Sequence, residues 1–403
     1  MINLEKDILE KIDVYEKEQD FNSLFEIFKL CYTKSNTLLA YTFGLALLDK
    51  SNTNPEIYYD MACLCILLNK TKEAYLYVEK VLSFPTAPAP SSITSNSLLI
   101  LSQVIPKIQS KPEYTLASDE PNWYPCNPSC YRTETELICL NRSVNYINHG
   151  MYFTIHDSQN IIRNRNYITR FNSELNLISK KEIHDIKNRI KFPKEYVGFE
   201  DCRIFHKKDD TILFTCTLWD THPEHVSGIS LCTTNLTTGQ VLSVVPCQIL
   251  NTNRQRHEKN WLPFMKDDKI HAIYSYSPLC IVQIDEQTGV SVPVYEKDVP
   301  NVDYSRLRGG AGPCLFDSGY LCCVHEKIRK ATTFVYFTRF FWMSKDYSET
   351  RLSKAFKCSD YVGVEFVSGI AVSKNDSIIL TYGLKDGEAY IVNIEKEEVL
   401  SFF

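Results

Sequence analysis

A recurring hairpin pattern restricts the fold of this 403-residue chain more than any other feature. Four segments pair turn residues with a β-rich run: KKDDTILFTCTL, MKDDKIHAIYSY, FDSGYLCCVH and KNDSIILTYG, and NHGMYFTIH is a weaker fifth copy. Anchored at Gly150, Asp210, Asp268, Ser318 and Asp376, the copies stand 60, 58, 50 and 58 residues apart. An all-β recurrence of that length is typical of propeller blades of about four strands each. The pattern therefore predicts a five-bladed β-propeller.

The first hundred or so residues have a helical period instead, with apolar residues at three- and four-residue steps. The segment NPEIYYDMACLCILLNKTKEAYLYVEKVLSFP begins with Asn54 and Pro55, carries Ala62 and Ala74, and reaches Pro85. It resembles one tetratricopeptide repeat, in which small residues lie where paired helices approach closely. A plain helical cap is the alternative. The predicted fold is a multi-domain α + β chain, with a helical tetratricopeptide-like domain at residues 1–110 and an all-β propeller catalytic domain at residues 120–403.

Composition excludes several classes of function. A net charge of −5 and a pI near 6.0 argue against nucleic-acid binding. No apolar run is long enough to span a bilayer, and the N-terminal sequence MINLEKDILEK is charged rather than signal-like. Without a signal peptide, the fifteen cysteines indicate a reducing, cytoplasmic compartment. Cys126 and Cys130 have no further ligands at zinc spacing, so we expect neither a metal nor another cofactor.

An unusual polar cluster precedes each hairpin: NRSVNYI, GFEDCRIF, HEKNWLPF, RLRGGAGPCLF and VEFVSGIAV. In GFEDCRIF, strand alternation puts Asp201 and Arg203 on one face and Glu200 on the other. Buried ions are costly unless they are paired or used, so a structural Asp–Arg pair is one interpretation. If these strands are innermost in their blades, however, the clusters converge at one mouth of the central channel. That convergence favours a binding site.

GFEDCRI resembles the G-x-E-D-P-R-I signature of five-bladed propeller enzymes that act on β-mannosides. This group comprises inverting mannoside phosphorylases, hydrolase relatives and β-1,2-mannosyltransferases that use a nucleotide sugar. HEKNW, RGGAGP followed by HE, and EFVSG followed by TYGLKD resemble further signatures of the group, over residues 140–395. The resemblance implies that Asp201 is the catalytic acid or base and that Arg203 holds its region together. Cys202 stands where the family has proline.

The three chemistries of that group need different residues. A phosphorylase needs cations around phosphate, and a transferase needs cations for the departing diphosphate and a base for the acceptor hydroxyl. A hydrolase needs a second carboxylate, roughly 6.5–9.5 Å from the first, to activate water. Glu365 or Glu326 would be that base.

The clusters supply many candidate ligands. Gly309 and Gly310 would let a ligand approach backbone N–H groups, and Trp261 or Tyr274 would stack on sugar faces. Loop cations at Arg163, Arg254, Arg256 and Arg306 enlarge the predicted cradle. Beside the catalytic Asp201, the predicted substrate-binding residues are Arg165, Asn166, Glu200, Arg203, Glu258, Lys259, Asn260, Trp261, Tyr274, Arg308, Gly309, Gly310, His325, Glu326, Glu365 and Asp386.

The leading hypothesis is an inverting glycosyltransferase that moves a mannosyl-like hexose from a nucleotide sugar to a glycan or glycoprotein acceptor. A β-mannoside phosphorylase, using phosphate, or a hydrolase is the close alternative. A non-catalytic propeller that binds glycans, with the helices recruiting a protein partner, is the alternative from a different class.

Overall fold

The computed structural model describes residues 6–50, 53–84, 92–118, 120–185, 196–221, 226–250, 257–299, 304–330 and 333–403. These residues form two compact units, one up to Ile105 and the other from Pro106 onward. No helix in the described part of the chain is both long enough and apolar enough to cross a membrane.

The first unit is helical, as predicted. Asn54 caps the fourth helix by accepting a hydrogen bond from the backbone N–H two residues later, and Pro55 occupies its first turn. Ala62 and Ala74 are fully buried. The tetratricopeptide character and a protein partner for this unit stay predictions, and Pro85 lies outside the described residues. The helices are α1 Lys6–Glu18, α2 Phe21–Thr33, α3 Thr37–Lys50, α4 Pro55–Leu67, α5 Thr71–Leu82 and α6 Ser92–Val104.

The second unit consists of strands and one short C-terminal helix. In chain order these are β1 Pro112–Thr115, β2 Tyr124–Arg132, β3 Leu137–Val144, β4 Tyr146–Asn148, β5 Phe153–Ile155, β6 Ile162–Phe171, β7 Leu177–Glu182, β8 Tyr196–Val197, β9 Glu200–Lys208, β10 Thr211–Leu218, β11 Gly228–Asn235, β12 Val241–Pro246, β13 Gln248–Ile249, β14 Leu262–Lys266, β15 Lys269–Tyr276, β16 Leu279–Ile284, β17 Val290–Lys297, β18 Arg308–Phe316, β19 Gly319–Lys330, β20 Thr333–Ser344, β21 Thr350–Leu352, β22 Glu365–Val372, β23 Ile378–Leu384, β24 Glu388–Ile394 and α7 Lys396–Ser401.

The strands form the predicted five-bladed propeller. From the innermost strand outward, the blades are β2-β3-β6-β7 (A), β9-β10-β11-β12 (B), β14-β15-β16-β17 with β13 at the edge (C), β18-β19-β20-β21 (D) and β22-β23-β24-β1 (E). The innermost strands contact one another in chain order, and β22 contacts β2, so the ring is closed. β1 pairs with β24, which joins the two ends of the unit in blade E. This strand lies between the predicted end of the helical domain at residue 110 and the predicted start of the propeller at residue 120.

Both faces of a blade pack against neighbouring blades, which explains the nearly continuous apolar runs. In TILFTCTL, which forms β10, every residue after the first is buried. One core cluster joins Ile138 and Ile168 of blade A to Ile204 and Phe214 of blade B. The sequence alternation is therefore weak within the blades, and the hairpin turns mark the repeat instead.

Four of the five predicted hairpins link an innermost strand to the second strand of its blade, at Asp210, Asp268, Ser318 and Asp376. The assignment of the fifth, near Gly150, is wrong. In blade A the equivalent turn lies between β2 and β3, and NHGMYFTIH forms the separate β4–β5 hairpin inserted between β3 and β6. The blade A turn, TETE, lacks the aspartate or glycine of the other four turns, so the sequence pattern points to the inserted β4–β5 hairpin instead.

Candidate active site

Asp201 lies at a β-bulge at the beginning of β9. Its φ is +49°, in the left-handed region that aspartate tolerates better than most residues. The pairing of β9 with β10 shifts by one residue between Glu200 and Arg203. The bulge disrupts the strand alternation expected from sequence, so that the carboxylates of Glu200 and Asp201 both approach Arg142.

Two donors hold the Asp201 carboxylate. Its Oδ1 accepts hydrogen bonds from Arg142 Nη1 at 2.7 Å and from Asn127 Nδ2 at 3.0 Å. The Arg142 side chain is only 6% exposed, and its Nε donates to Asn164 Oδ1 at 2.7 Å. The carboxylate therefore has a defined orientation.

The charges around Asp201 keep it ionised. Burial alone would raise its pKa, but Arg142, then Arg203 and Lys259, outweigh burial and hold the pKa well below its usual range. Asp201 is therefore a carboxylate at neutral pH.

Arg203 makes no hydrogen bond to Asp201, and its predicted role of holding this region together stays a prediction. Its Nη1 donates to the Cys202 carbonyl at 3.4 Å, while Nε and Nη2 are buried and have no hydrogen-bond partner among the described residues. Its guanidinium lies 5.3 Å from the ring centroid of Phe366. Arg142 orients Asp201, and Arg203 acts on it through charge alone.

Glu200 and Lys259 link blades B and C beside Asp201. Lys259 Nζ lies 3.1 Å from both carboxylate oxygens of Glu200, and Trp219 Nε1 donates to Glu200 at 2.6 Å. Lys259 also lies 4.7 Å from the centroid of the Trp219 ring, which stacks on Tyr196. The polar clusters of these two blades therefore converge, as predicted.

Asp386 brings a third carboxylate to the region of Asp201 and Glu200. It lies in the β23–β24 turn, and its Oδ2 accepts a hydrogen bond from Asn148 Nδ2 at 2.8 Å. Burial raises the pKa of Asp386, and the charges of Asp201 and Glu200 add to this, although Asn148 and Arg142 oppose it. Asp201 and Asp386 thus have pKa values displaced in opposite directions, a pattern typical of acid–base sites.

His325 on β19 is opposite Arg308 on β18, and both were predicted site residues. The imidazole is buried, and its Nδ1 has no hydrogen-bond partner in the part of the chain that the structure describes. Burial, then the charges of Arg203, Lys327 and Arg308, lower its pKa to about 3. His325 is therefore neutral and can accept or donate a hydrogen bond.

Two cavities adjoin these residues. A cavity of about 570 Å³ at blades C and D is lined by Lys259, Asn260, Tyr274, Tyr304 and Arg308, among others. A second cavity, of about 310 Å³, is lined by all five innermost strands and includes Arg203. Arg254 and Arg256 of the predicted cradle lie outside the described residues.

The predicted water-activating bases are engaged elsewhere. Glu326 is 2% exposed and accepts hydrogen bonds from Arg306 at 2.8 Å and Arg339 at 2.6 Å. Glu365 accepts backbone hydrogen bonds from Cys358 at 2.5 Å and Ser359 at 2.9 Å. These hydrogen bonds within the protein favour a structural role for both carboxylates over the predicted activation of water.

The predicted stacking role of Trp261 is also wrong. Trp261 is 2% exposed within the core, and its Nε1 donates to Glu258 at 3.1 Å. Tyr274 donates to the same carboxylate at 3.2 Å and lines the larger cavity. Trp261 and Tyr274 thus orient Glu258 at the cavity wall.

Asn166 and Arg165, the two predicted site residues of blade A, have different surroundings. Asn166 is buried, donates to the Phe199 carbonyl at 2.8 Å and accepts a hydrogen bond from the Cys202 thiol at 3.4 Å. These two hydrogen bonds hold the backbone next to Asp201. Arg165 pairs with Glu120 at 2.5 Å and lies over Trp123, apart from the Asp201 cluster.

Gly309 and Gly310 are required by strand packing. A Cβ on Gly309 would lie 2.2 Å from the Asn260 carbonyl oxygen, and one on Gly310 would lie 2.7 Å from that of Val367. Close approach of the neighbouring backbone thus accounts for both glycines, and their predicted contact with a ligand stays a prediction.

Sequence reasoning missed Asn127, Arg142, Asn148 and Trp219. Arg142 lies within NRSVNYI, a cluster that was noted but assigned to the wrong strand. Asn127, in YPCNPSC, would have been found by aligning β2 with the other innermost strands. Among the described residues, no group of three His, Cys, Asp or Glu side chains is placed to hold a metal ion.

Comparison with known proteins identifies no matching family model and no matching curated protein. One similar solved structure is a mannose phosphorylase from Leishmania mexicana in complex with phosphate ion, with 10% identity and a TM-score of 0.48 over 75% of this chain and 92% of that chain. Another is a GDP-Man-dependent mannosyltransferase from Leishmania mexicana, with 12% identity and a TM-score of 0.43 over 68% of this chain and 86% of that chain. A third is a putative glycoside hydrolase from Parabacteroides distasonis, with 13% identity and a TM-score of 0.47 over 78% of this chain and 97% of that chain. They are of the enzyme kinds that the sequence resemblance named. Their low identities and TM-scores assign no role to any residue of this chain.

Proposed function

We propose that this protein is an inverting glycosyltransferase that moves a mannosyl-like hexose from a nucleotide sugar to a glycan or glycoprotein acceptor. The observation that carries the proposal is an ionised, oriented Asp201 in a cationic cluster that adjoins a cavity of about 570 Å³. The resemblance of GFEDCRI to a catalytic signature supports the same residue.

Asp201 is our candidate for the general base. The charges around it keep it deprotonated at neutral pH, so it can accept a proton from an acceptor hydroxyl. Both of its hydrogen bonds go to Oδ1, and no donor among the described residues bonds to Oδ2. In the proposed reaction, the acceptor oxygen forms a bond to the anomeric carbon and gives its proton to Asp201. The bond to the diphosphate breaks, and its electron pair leaves with the nucleoside diphosphate.

The larger cavity favours a nucleotide sugar as the donor. Pockets for drug-sized ligands measure roughly 300–1,000 Å³, and a nucleoside diphosphate is of that size, whereas inorganic phosphate needs far less space. Lys259 and Arg308 line the cavity of about 570 Å³ and would neutralise the departing diphosphate. His257 also lines it and would contact the nucleoside.

A β-mannoside phosphorylase is the second candidate, because of Asp386. Its raised pKa favours the protonated form, which could protonate the leaving oxygen while the cations hold phosphate. Hydrolysis is less well supported, because Glu326 and Glu365 are held in structural hydrogen bonds.

The test compares two assays on the same purified protein. One supplies GDP- and UDP-hexoses with mannoside acceptors, and the other supplies β-mannobiose with inorganic phosphate. We expect release of nucleoside diphosphate and a product of inverted anomeric configuration by NMR, both lost in Asp201→Asn. Release of sugar 1-phosphate with inert nucleotide sugars would refute the transferase. Glycan binding without turnover in either assay would favour the non-catalytic alternative.

A further inference from the structure

The β4–β5 hairpin is an insertion in blade A with a fixed conformation. Its strands pair Tyr146 with Ile155 and Asn148 with Phe153. In the turn, His149 N donates to the Tyr152 carbonyl at 3.0 Å, and Asn148 Oδ1 accepts from the Gly150 N–H at 2.8 Å. The hairpin therefore presents its side chains in defined positions.

One face of this hairpin reaches the candidate active site. Cross-strand partners share a face, so Tyr146, Asn148 and Phe153 lie on one side. Asn148 donates to Asp386 at 2.8 Å. Burial raises the pKa of Tyr146 well above its usual value, and the charge of Asp386 contributes to this. Asn148 thus contacts the Asp386 carboxylate directly, and Tyr146 lies close enough to be affected by its charge.

The tip of the hairpin is apolar and exposed. Met151, Tyr152 and Phe153 are 69%, 62% and 44% exposed, in consecutive positions. The Tyr152 ring stacks on His149 at 4.6 Å, and the Phe153 ring packs edge-on against Tyr146 at 4.9 Å. Supported rings with an open face offer rigid apolar contact area, and contiguous exposed apolar residues of this kind typically mark a binding surface.

We propose that the tip of the β4–β5 hairpin binds the carbohydrate acceptor, with Phe153 and Tyr152 stacking on the apolar faces of its sugar rings. A carbohydrate suits the surface because the Asn148 amide and the Asp386 carboxylate, next to Phe153, can pair with sugar hydroxyls. The role as an acceptor site rests on the proposed function. It places the acceptor on the blade A and blade E side, while the donor cavity lies at blades C and D.

Direct binding tests this inference without turnover. Titration calorimetry would measure a panel of manno-, gluco- and galacto-oligosaccharides of two to six units, in the absence of nucleotide sugars. We expect at least one to bind, and Phe153→Ala and Tyr152→Ala each to weaken it about tenfold or more, equivalent to about 1.4 kcal/mol. Phe153→Tyr keeps the ring and should retain the affinity. Leu177→Ala on β7, where the side chain is 52% exposed, is the matched control on the same blade.

The outcomes separate this inference from the proposed function. If no oligosaccharide binds wild type, or if both alanine variants bind like wild type, the hairpin is not the acceptor surface, even in an active transferase. If nucleotide sugars are inert but hairpin-dependent binding persists, the surface stands and the transferase fails. Thermal melts of each variant verify that the chain is folded.

Discussion

Replacing Asp201 by Asn removes the proposed general base with minimal change of shape. An amide cannot take the proton of an acceptor hydroxyl, so turnover should fall by about 10²–10⁴-fold, the usual contribution of a positioned acid–base group. Binding of the nucleotide sugar should change much less, because Lys259 and Arg308, which line the donor cavity, are untouched.

The structure also sets the expected loss of stability. Arg142 loses a charged partner at 2.7 Å, but keeps Asn164 at 2.7 Å and Glu200 at 3.8 Å. The asparagine that replaces Asp201 can still accept a hydrogen bond through its amide oxygen. We therefore expect a loss of about 1.5–3 kcal/mol, typical of a hydrogen bond to a charged group, rather than the roughly 3–5 kcal/mol of a stranded buried ion. Because the folded pKa of Asp201 is lowered, this difference is present at pH 7 and shrinks as the pH falls below about 4.

The assay combines urea unfolding with initial rates for each folded protein. Glu136→Gln is the matched control, since it weakens the Arg170–Glu136 pair, with N–O distances of 2.7 and 2.9 Å, on blade A away from the site. The control should lose stability yet keep its full rate per folded molecule. If Asp201→Asn behaves like the control, with full specific activity in the folded fraction, the catalytic role of Asp201 is wrong.

Three further changes test the surrounding charges. Arg203→Met should move the acid limb of the kcat/KM pH profile to higher pH, because this cation helps keep the pKa of Asp201 low, and an unmoved limb would contradict this. The free energy of unfolding should stay the same or rise, because Nε and Nη2 of Arg203 have no hydrogen-bond partners among the described residues to lose. Glu326→Gln should destabilise the propeller by about 3–5 kcal/mol in urea unfolding, because Arg306 and Arg339 both lose the carboxylate with which they pair. A variant as stable as wild type would exclude a structural role for Glu326. Asp386→Asn should raise the free energy of unfolding at pH 7 but not near pH 4. The reason is that the pKa of Asp386 is raised in the folded state, so its ionised form destabilises the fold above the unfolded pKa. A lower free energy of unfolding at pH 7 would show that the pKa is not raised.

The sequence by itself was sufficient to predict the propeller, the blade number and the positions of four innermost strands. The hairpins at Asp210, Asp268, Ser318 and Asp376 recur because every blade has the same strand connection, and turn chemistry is local in sequence. The same repeat brought polar clusters such as GFEDCRIF and HEKNW to one region, since equivalent positions in successive blades are related by rotation.

Only the tertiary structure decided which residues hold Asp201 and which carboxylates remain available. Arg142 reaches Asp201 from another blade because a bulge disrupts the alternation of β9, and neither the bulge nor the contact has a local sequence signal. Glu326 was a candidate water-activating base in sequence, yet two arginines, 20 and 13 residues away along the chain, pair with its carboxylate. The β4–β5 hairpin resembles the hairpin of a blade in its residue pattern, but the contact of Asn148 with Asp386, 238 residues away, places it beside the candidate active site. Local patterns determine strands and turns. The pairing of charges depends on contacts between different strands and blades, which form only in the folded propeller.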